Sequence, residues 1–279
     1  LTLIGESIND SVPSTHALFE ANDLAAITGL ARSQSELGAD YIDVNVGPRP
    51  ADFMAAVVRA VQTVTPKPLS IDSPDYALAA AGLAACDPAC GIPILNSISP
   101  LRLEMFDLLQ SHRFRPILLA SENLIDGDEA PCRTAEETYD AARLLLETAR
   151  SHGLSNDDCI IDPGIAPIGA DTENNIHRLM GALRLIHDDP AFAGVHMSVG
   201  LSNFTVMLPS RRADGSPVKL PLANAFLTRA MPLGLDMIIG SAKLAYGALP
   251  EGHPALQCFD DCLALSDFDV LMRVQEFYS

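Results

Sequence analysis

Short apolar segments alternate with helix-like segments along the chain, and this alternation constrains the fold more than any other feature. Each apolar run is only a few residues long and ends in polar or glycine-containing sequence. Near-continuous apolar character over such a length is typical of strands buried on both faces of a parallel sheet. The predicted strands are Leu1–Glu6, Tyr41–Val46, Leu69–Ser73, Pro93–Ser97, Pro116–Ser121, Cys159–Asp162, Val195–Gly200 and Leu235–Gly240.

The intervening segments carry signals for helices. Asp23 precedes apolar residues at helical intervals, and Thr134 opens a capping-box pattern in a segment that ends at Gly153. The predicted helices are Asp23–Gly38, Ala51–Val64, Asp75–Cys86 with Asp75 as its cap, Leu101–Ser111, Thr134–Gly153, Asp171–Asp188, Pro221–Gly234 and a C-terminal stretch beyond Pro254.

Eight strand–helix alternations without a linker or a low-complexity tract predict an α/β fold, a closed (β/α)8 barrel, also called a TIM barrel. We expect residues 1–279 to form one domain, which is an ordinary length for such a barrel. An open, doubly wound sheet is the alternative fold. No G-x-G-x-x-G pattern follows the first predicted strand, which argues against that alternative.

The balance of charge argues against polyanionic partners. The chain has 18 basic and 36 acidic residues, a formal net charge of −18, which repels nucleic acid and anionic membranes. No apolar run approaches the roughly 20 residues that span a bilayer. No leader-like segment precedes Leu1. We therefore expect a cytoplasmic protein with no nucleic-acid or membrane partner.

The six cysteines do not predict a metal centre. The pairs Cys86/Cys90 and Cys258/Cys262 have C-x3-C spacing, which differs from that of zinc knuckles, and no H-E-x-x-H pattern accompanies them. Glu6, Asp43 and Asp72 could offer oxygen ligands to a hard cation, although no histidine joins them. We expect reduced thiols and no bound metal.

Carboxylate and amide side chains lie at or just beyond the ends of the predicted strands. In a barrel these ends meet at the face that carries active sites. A carboxylate can accept two parallel N–H donors from a ring such as a pterin, and amides can serve its carbonyl and ring nitrogens. Any one of these residues could equally be a cap or turn residue, but capping does not require the whole series. The series is Glu6, Asn9, Asp43, Asn45, Asp72, Asn96, Asp162 and Asn203.

Several short motifs occur in order from the first strand to the eighth. They are I-G-E-S-I-N at 4–9, D-V-N-V-G at 43–47, I-D-S at 71–73, N-S-I-S at 96–99, D-P-G-I at 162–165, G-L-S-N at 200–203, P-L-A-N-A-F-L at 221–227 and G-L-D at 234–236. Together they resemble the pterin-binding methyltransferase family, and most closely its methyltetrahydrofolate:corrinoid-protein methyltransferases. Each motif alone is weak, whereas the ordered series is specific.

The resemblance implies an enzyme that moves the N5-methyl group between methyltetrahydrofolate and the cobalt of a corrinoid (cobalamin) protein. Asp72, Asn96 and Asp162 match the residues that hold the pterin, with Asp162 accepting from N3–H and the 2-amino group. Asn203 matches the catalytic asparagine that approaches N5. The other residues implied at the pocket are Gly200, Ser202, Asn9, Asp43 and Asn45, the last three in either a supporting or a direct role.

The resemblance also implies tetrahydrofolate or its methyl derivative as substrate, a corrinoid protein as partner, and a homodimer. Transfer is reversible, so both directions stay open. The chain departs from the family at Val206, where members carry a polar residue, and in a longer Ser210–Leu220 segment. Arg211 or Arg212 fills the family's arginine position. These departures concern the corrinoid-facing loop more than the pterin pocket.

Two other functions remain alternatives. Dihydropteroate synthases share the barrel and the D-P-G motif, but they usually carry a lysine soon after it, whereas residues 165–170 read IAPIGA. A pterin-binding subunit without catalytic activity would keep the pocket and lose the transfer. The retained Asn203 argues against that second alternative.

Overall fold

Eight parallel strands form the centre of the molecule in the computed structural model, which describes residues 1–125 and 127–279. Each strand is hydrogen-bonded to its sequence neighbour within the barrel, and the last pairs with the first through Thr2–Met237 and Ile4–Ile239. The strands are β1 (Thr2–Asn9), β2 (Tyr41–Asn45), β3 (Leu69–Asp72), β4 (Ile94–Ile98), β5 (Arg115–Leu119), β6 (Ile160–Asp162), β7 (His196–Met197) and β8 (Met237–Gly240).

The ring is completed between β7 and β8. Isolated parallel bridges join Met197 to Leu235 and Gly200 to Ile239, and the Ile239 N–H donates to the Val199 carbonyl at 2.9 Å. The arrangement is a (β/α)8 barrel, which confirms the fold prediction. It excludes the open doubly wound sheet, because an open sheet ends in two edge strands, whereas here the last strand pairs with the first.

Helices surround the strands and bury apolar faces against them. They are α1 (Pro13–Glu20), α2 (Leu24–Glu36), α3 (Ala51–Gln62), α4 (Tyr76–Ala85), α5 (Ala135–Ser151), α6 (Asn175–Asp188), α7 (Leu201–Phe204), α8 (Lys219–Ala230), α9 (Pro254–Ala264) and α10 (Phe268–Tyr278). Asp23 and Asp75 cap α2 and α4, accepting from backbone N–H groups at 2.9 Å, and α5 has the predicted capping box.

Several predicted boundaries were wrong. β1 continues to Asn9, so Glu6 and Asn9 lie within the strand and not after it. The ladder of β7 covers only His196–Met197, shorter than Val195–Gly200. Leu103–Gln110 forms a 3-10 helix where an α-helix was expected, and α6 begins at Asn175 after a separate 3-10 turn at Ile168–Ala170.

Other elements had no counterpart in the prediction. These are α1, α7 and an antiparallel hairpin of Glu122–Ile125 and Asp128–Pro131 that follows β5. α8 begins at Lys219, two residues before the predicted start at Pro221. It ends at Ala230, four residues before the predicted end at Gly234. The C-terminal stretch forms two helices, α9 and α10.

The interior of the barrel is apolar at the starts of the strands. A buried cluster of its own forms there, separate from the larger core between strands and helices; it consists of Ile4, Ile94, Ile117, Ile160 and Met237. Side chains two residues apart share one face of a strand. The residues two positions later on β1, β4 and β6 are Glu6, Asn96 and Asp162, which therefore also point inward, at the opposite end.

Candidate active site

A cavity of about 840 Å³ opens at the carboxyl ends of the strands. The strand pattern sets how deep the cavity reaches. The apolar cluster closes the barrel at the starts of the strands, and the inward polar residues line the space at their carboxyl ends. Eight of the nine predicted site residues line it, together with Glu6 and Lys243. The eight are Asn9, Asp43, Asp72, Asn96, Asp162, Gly200, Ser202 and Asn203.

Asn45 stands behind the wall of the cavity. Its amide Nδ2 donates to Asp72 Oδ2 at 2.9 Å, and its Oδ1 accepts from the Gly47 N–H at 2.9 Å. Both polar ends of the amide are therefore used to hold Asp72 and to shape the turn after β2. Asn9, although it lines the cavity, accepts from the Ser11 backbone and hydroxyl at 2.9 and 2.7 Å.

Asp162 ends β6 and is 5% exposed. The Gly164 N–H donates to its Oδ1 at 2.8 Å, and the buried Ser198 hydroxyl donates to its Oδ2 at 3.3 Å. Burial raises the pKa of Asp162 to about 6, and the donors from Gly164 and Ser198 oppose that rise. At neutral pH the side chain is a carboxylate with capacity for further N–H donors from a ligand.

The D-P-G turn after β6 accepts only glycine at its third position. Gly164 has φ +72°, and a Cβ built on it would lie 2.3 Å from the Cβ of Ser121. The guanidinium of Arg178, 6% exposed on α6, donates to the Pro163 carbonyl at 2.6 Å and to the Gly164 carbonyl at 2.8 Å. Asp162 is thus held at the end of a turn that a buried cation fixes from below.

Asp43 and Asp72 lie side by side on β2 and β3. Asp43 is 1% exposed, and its Oδ1 has no hydrogen-bond partner within the described part of the chain. Burial and the neighbouring Asp72 charge raise the pKa of Asp43 well above its usual range. Burial also raises the pKa of Asp72 to about 6, against the opposing hydrogen bonds from Asn45 and Asp43. The pair holds a proton more readily than two isolated carboxyls would.

The loop after β7 brings two polar side chains to the other side of the cavity. The Ser202 hydroxyl donates to Glu6 Oε2 at 2.8 Å. Asn203 is exposed to the cavity, and its Nδ2 lies 3.0 Å from where a Cβ on Gly200 would stand, so any larger residue at 200 would crowd the amide. Gly200 therefore leaves room for the Asn203 amide.

Four residues of this site were absent from the predicted set. Glu6 was named in the strand-end series and as a possible cation ligand but not among the pocket residues implied by the resemblance, although it shares the inward face of β1 with Ile4. Ser198 shares a face with Gly200 by the same two-residue period. Arg178 and Lys243 reach the site from α6 and from the loop after β8, and no local sequence pattern indicates that.

The two arginines expected from the resemblance do not line the cavity. Arg211 Nη1 donates to the Gly215 carbonyl at 2.7 Å, and the Arg212 guanidinium stacks 3.7 Å above the ring of Phe277. Both belong to the turn formed by the long 210–220 segment, where Arg211 pairs with Pro217. Val206 lines the cavity rim and is 58% exposed.

Within the described ranges, no group of three or more His, Cys, Asp or Glu side chains is arranged to hold a metal ion. Among the residues described, no helix combines the length and the apolar character that crossing a bilayer would require. A smaller depression of about 350 Å³ lies at the opposite end of the barrel, between the end of α6 and β7, and lacks convergent polar groups of the kind described above.

Three known proteins illustrate what this chain resembles in sequence or in structure. The methylcorrinoid:tetrahydrofolate methyltransferase of Eubacterium limosum is 28% identical over 251 residues, which are 86% of this chain and 84% of that protein. The dihydropteroate synthase of Xanthomonas albilineans, solved with 4-aminobenzoic acid, has a TM-score of 0.59 at 22% identity over 86% of both chains. The 7,8-dihydropteroate synthase of Vibrio fischeri ES114 has a TM-score of 0.59 at 16% identity over 99% of this chain and 92% of that one.

The two structural similarities establish the barrel fold alone, since both identities are low. The family model described as "Pterin binding enzyme" matches residues 8–240, which run from within β1 to the end of β8 and include every strand-end residue discussed above except Glu6. The chain therefore belongs to the pterin binding enzyme family.

Proposed function

We propose that this protein transfers the N5-methyl group between 5-methyltetrahydrofolate and the cobalt of a separate corrinoid protein. The observation that carries the proposal is that Asn203 faces the same cavity as Asp72, Asn96 and Asp162. The similarity to the Eubacterium limosum enzyme supports it, because that protein is named for this pair of substrates.

In this proposal the pterin is held from the β3, β4 and β6 side. The carboxylate of Asp162 accepts from N3–H and the 2-amino group, a pair of parallel donors that suits two carboxylate oxygens. Each Asp162 oxygen can accept a further hydrogen bond, because Gly164 and Ser198 provide one donor to each oxygen and leave the side facing the cavity available. Asn96 and Asp72 complete the polar edge of the pocket, with Asp72 oriented by Asn45.

Asn203 acts at the nitrogen that carries the methyl group. When methyltetrahydrofolate is the donor, the N5–CH3 bond breaks, its electron pair stays on N5, and N5 gains a proton, while Co(I) supplies the pair for the new cobalt–carbon bond. A tertiary amine is a poor leaving group without that proton. An amide N–H directed at N5 can interact more strongly as charge changes there, which lowers the barrier without requiring a strong acid.

The open end of the cavity is where the corrinoid would approach. Val206 and Met207 follow Asn203 at the rim and are 58% and 64% exposed. Two large apolar side chains on the surface beside a pocket are typical of a contact area for a ligand or a partner. The hydrophobic Val206 suits the face of a corrin ring, which is largely apolar.

Mixing the protein with methyltetrahydrofolate and chemically reduced cob(I)alamin tests the proposal, with the visible spectrum reporting methylcobalamin. The reverse mixture of methylcobalamin and tetrahydrofolate tests the other direction. Transfer in either direction supports the proposal. Tight folate binding without transfer in both directions would instead support a non-catalytic pterin-binding subunit.

The same preparation distinguishes the remaining alternative. A dihydropteroate synthase would form a pteroate product from 4-aminobenzoic acid and an activated dihydropterin, with no methyl transfer. Chromatography of that reaction is expected to show no product, since residues 165–170 offer no lysine for a second anionic group. Absence of any folate binding would contradict both the proposed transfer and the assignment of this cavity to a pterin.

A further inference from the structure

The side chain of Glu6 has no role in holding the pterin as described above, yet it projects into the same cavity. It lies on the inward face of β1, two residues beyond the buried Ile4. Its Oε2 accepts from the Ser202 hydroxyl at 2.8 Å, and no other hydrogen bond from the described residues reaches the carboxyl group. One carboxyl oxygen is therefore available to a ligand.

Glu6 lies on the side of the cavity that Asn203 occupies. Ser202 immediately precedes Asn203 in α7, so the Glu6–Ser202 hydrogen bond ties the carboxyl group to the first turn of that helix. In the barrel order, β1 is separated from β7 only by β8, whereas Asp72 on β3 is on the far side from β7. The Glu6 carboxyl group therefore lies on the same side of the cavity as the Asn203 amide, which we place at N5.

We propose that Glu6 is the group that exchanges a proton with N5 of the folate during methyl transfer, an inference that rests on the proposed function. When N5 gives up its methyl group, the Glu6 carboxylic acid donates a proton to N5 as the N5–CH3 bond breaks, and becomes a carboxylate. When tetrahydrofolate accepts a methyl group, the N5 lone pair forms the bond to carbon, the cobalt–carbon pair stays on cobalt, and the N5 proton passes to the Glu6 carboxylate.

The surroundings of Glu6 favour its protonated form more than water would, which suits a group that takes and releases a proton. Burial raises the pKa of Glu6, and the Ser202 hydroxyl opposes that rise by stabilising the carboxylate. Other titratable groups line the same cavity: Asp43 on β2, Asp72 on β3, Asp162 on β6 and Lys243 after β8. Tyr246, also after β8, lies close enough to interact with the Glu6 charge. The Asp43 and Glu6 charges repel each other, which favours a proton on one of the two groups.

The pH dependence of the two directions tests this role. Donation from Glu6 requires its acid form, so transfer from methyltetrahydrofolate to cob(I)alamin is expected to slow as pH rises through the pKa of Glu6. Acceptance requires the carboxylate, so the reverse transfer is expected to slow as pH falls through the same value. Rates are measured under single turnover with the full chain, so that binding and product release do not enter.

The first variant is Glu6→Gln, which removes the titrating group and keeps the size. We expect the single-turnover rate to fall on the order of 10²-fold or more in both directions. The two pH limbs, which are the fall of the forward rate at high pH and the fall of the reverse rate at low pH, should both be lost. Folate affinity is expected to change little, because Glu6 is not among the residues that hold the ring edge. Glu147→Gln, which alters an exposed carboxylate on α5, is the matched control and should follow the wild-type curve.

The second variant is Ser202→Ala, which keeps Glu6 but removes its donor. Because that donor lowers the pKa of Glu6, both pH limbs are expected to move to higher pH. A contact that served only to position α7 would lower the rate equally at every pH. This variant also provides the test if Glu6→Gln loses its fold by circular dichroism.

The outcomes separate the two proposals. If the wild type transfers methyl groups, while Glu6→Gln keeps both limbs or Ser202→Ala leaves them in place, the role of Glu6 is overturned and the methyltransferase stands. If the wild type shows no transfer in either direction, the methyltransferase itself fails. Lost limbs in Glu6→Gln together with shifted limbs in Ser202→Ala support Glu6 as the proton-exchanging group.

Discussion

Individual carboxyl groups in this barrel lie in positions that cost stability when they are charged. Asp162 is almost fully buried, and burial raises its pKa to about 6. In the unfolded chain an aspartate titrates near 4. The folded state therefore binds the proton more tightly than the unfolded chain does. The stability that this protonation contributes is fully present below about pH 4 and is lost as pH rises through about 6. Above that range the empty pocket carries an unfavourable buried charge that a ligand with N–H donors would stabilise.

Replacing Asp162 with asparagine tests this trade between stability and binding. At pH 8 we expect Asp162→Asn to raise the free energy of unfolding by up to about 3 kcal/mol, and at pH 4 to have little effect. Folate binding should be lost, because an amide cannot accept two parallel N–H donors. Thermal melts at both pH values and folate calorimetry measure these effects. Asp140→Asn, at an exposed ion pair on α5, is the control.

A melting temperature for Asp162→Asn at or below that of the wild type at pH 8 would contradict this account of the buried charge. The result would mean that the hydrogen bonds from Gly164 and Ser198 outweigh the cost of burial. Retained folate affinity in the same variant would show that the ring is held elsewhere. The two measurements therefore test separate parts of the description of Asp162.

Elements, and not only residues, position the site. α6 does not line the cavity, but its Arg178 donates to two carbonyls of the D-P-G turn and to the Thr138 hydroxyl of α5 at 3.0 Å. The guanidinium thus joins two helices to the end of β6. A planar group with several donors can satisfy these acceptors together, which a lysine ammonium on its flexible stem cannot do as well.

Arg178→Lys is expected to lower the free energy of unfolding by about 1–3 kcal/mol, since at least one buried carbonyl loses its donor. Folate affinity should fall as well, because the turn that orients Asp162 is loosened. Urea unfolding and folate calorimetry measure the two effects. Arg184→Lys, at an exposed position of the same helix, should match the wild type. Unchanged stability in Arg178→Lys would indicate that water satisfies the carbonyls.

At this scale the sequence predicted strands better than helices and loops. Buried parallel strands have short apolar sequences, and the two-residue period that places Ile160 in the apolar cluster and Asp162 at the cavity is visible in the chain itself. The end of β1 was wrong because polar residues continue the strand inside the barrel mouth, where a cavity and not a core faces them. The end of β7 was wrong in the opposite direction, because the apolar and small residues up to Gly200 extend beyond the short ladder at His196–Met197.

The contacts made by Arg178 could not be predicted, because they depend on how α6 packs beneath the turn. Its partners are 14 and 15 residues away at Gly164 and Pro163, and 40 residues away at Thr138. The capping box at Thr134 was predicted correctly because its residues are only three apart. Local signals thus gave the elements, and long-range packing decided which side chains support the site.

The molecule as a whole carries a formal charge of −18, with a sequence pI of about 4.5. Repulsion among these charges opposes the compact state. Raising NaCl from about 10 mM to about 1 M shortens the screening length from roughly 30 Å to roughly 3 Å. We therefore expect the melting temperature at pH 8 to rise with salt. At pH 5, close to the pI, the rise should be much smaller.

Thermal melts across this salt range at the two pH values measure the effect. An equal rise at pH 5 and pH 8 would attribute it to general salt effects on apolar burial and not to charge repulsion. A fall at pH 8 would show that the ion pairs outweigh the repulsion, among them the Arg49 contacts with Asp10 and Glu20 near the barrel mouth.

Single-turnover methyl transfer to cob(I)alamin by the wild type and by Asn203→Ala, with folate affinity measured in parallel, tests whether Asn203 acts at N5. We expect methylcobalamin formation by the wild type and a rate lower by about 10²–10³-fold in the variant, the range found when one donor to a developing charge is removed. Folate affinity should change little. Equal rates in the two proteins would overturn the role of Asn203, and no transfer by the wild type would overturn the methyltransferase itself.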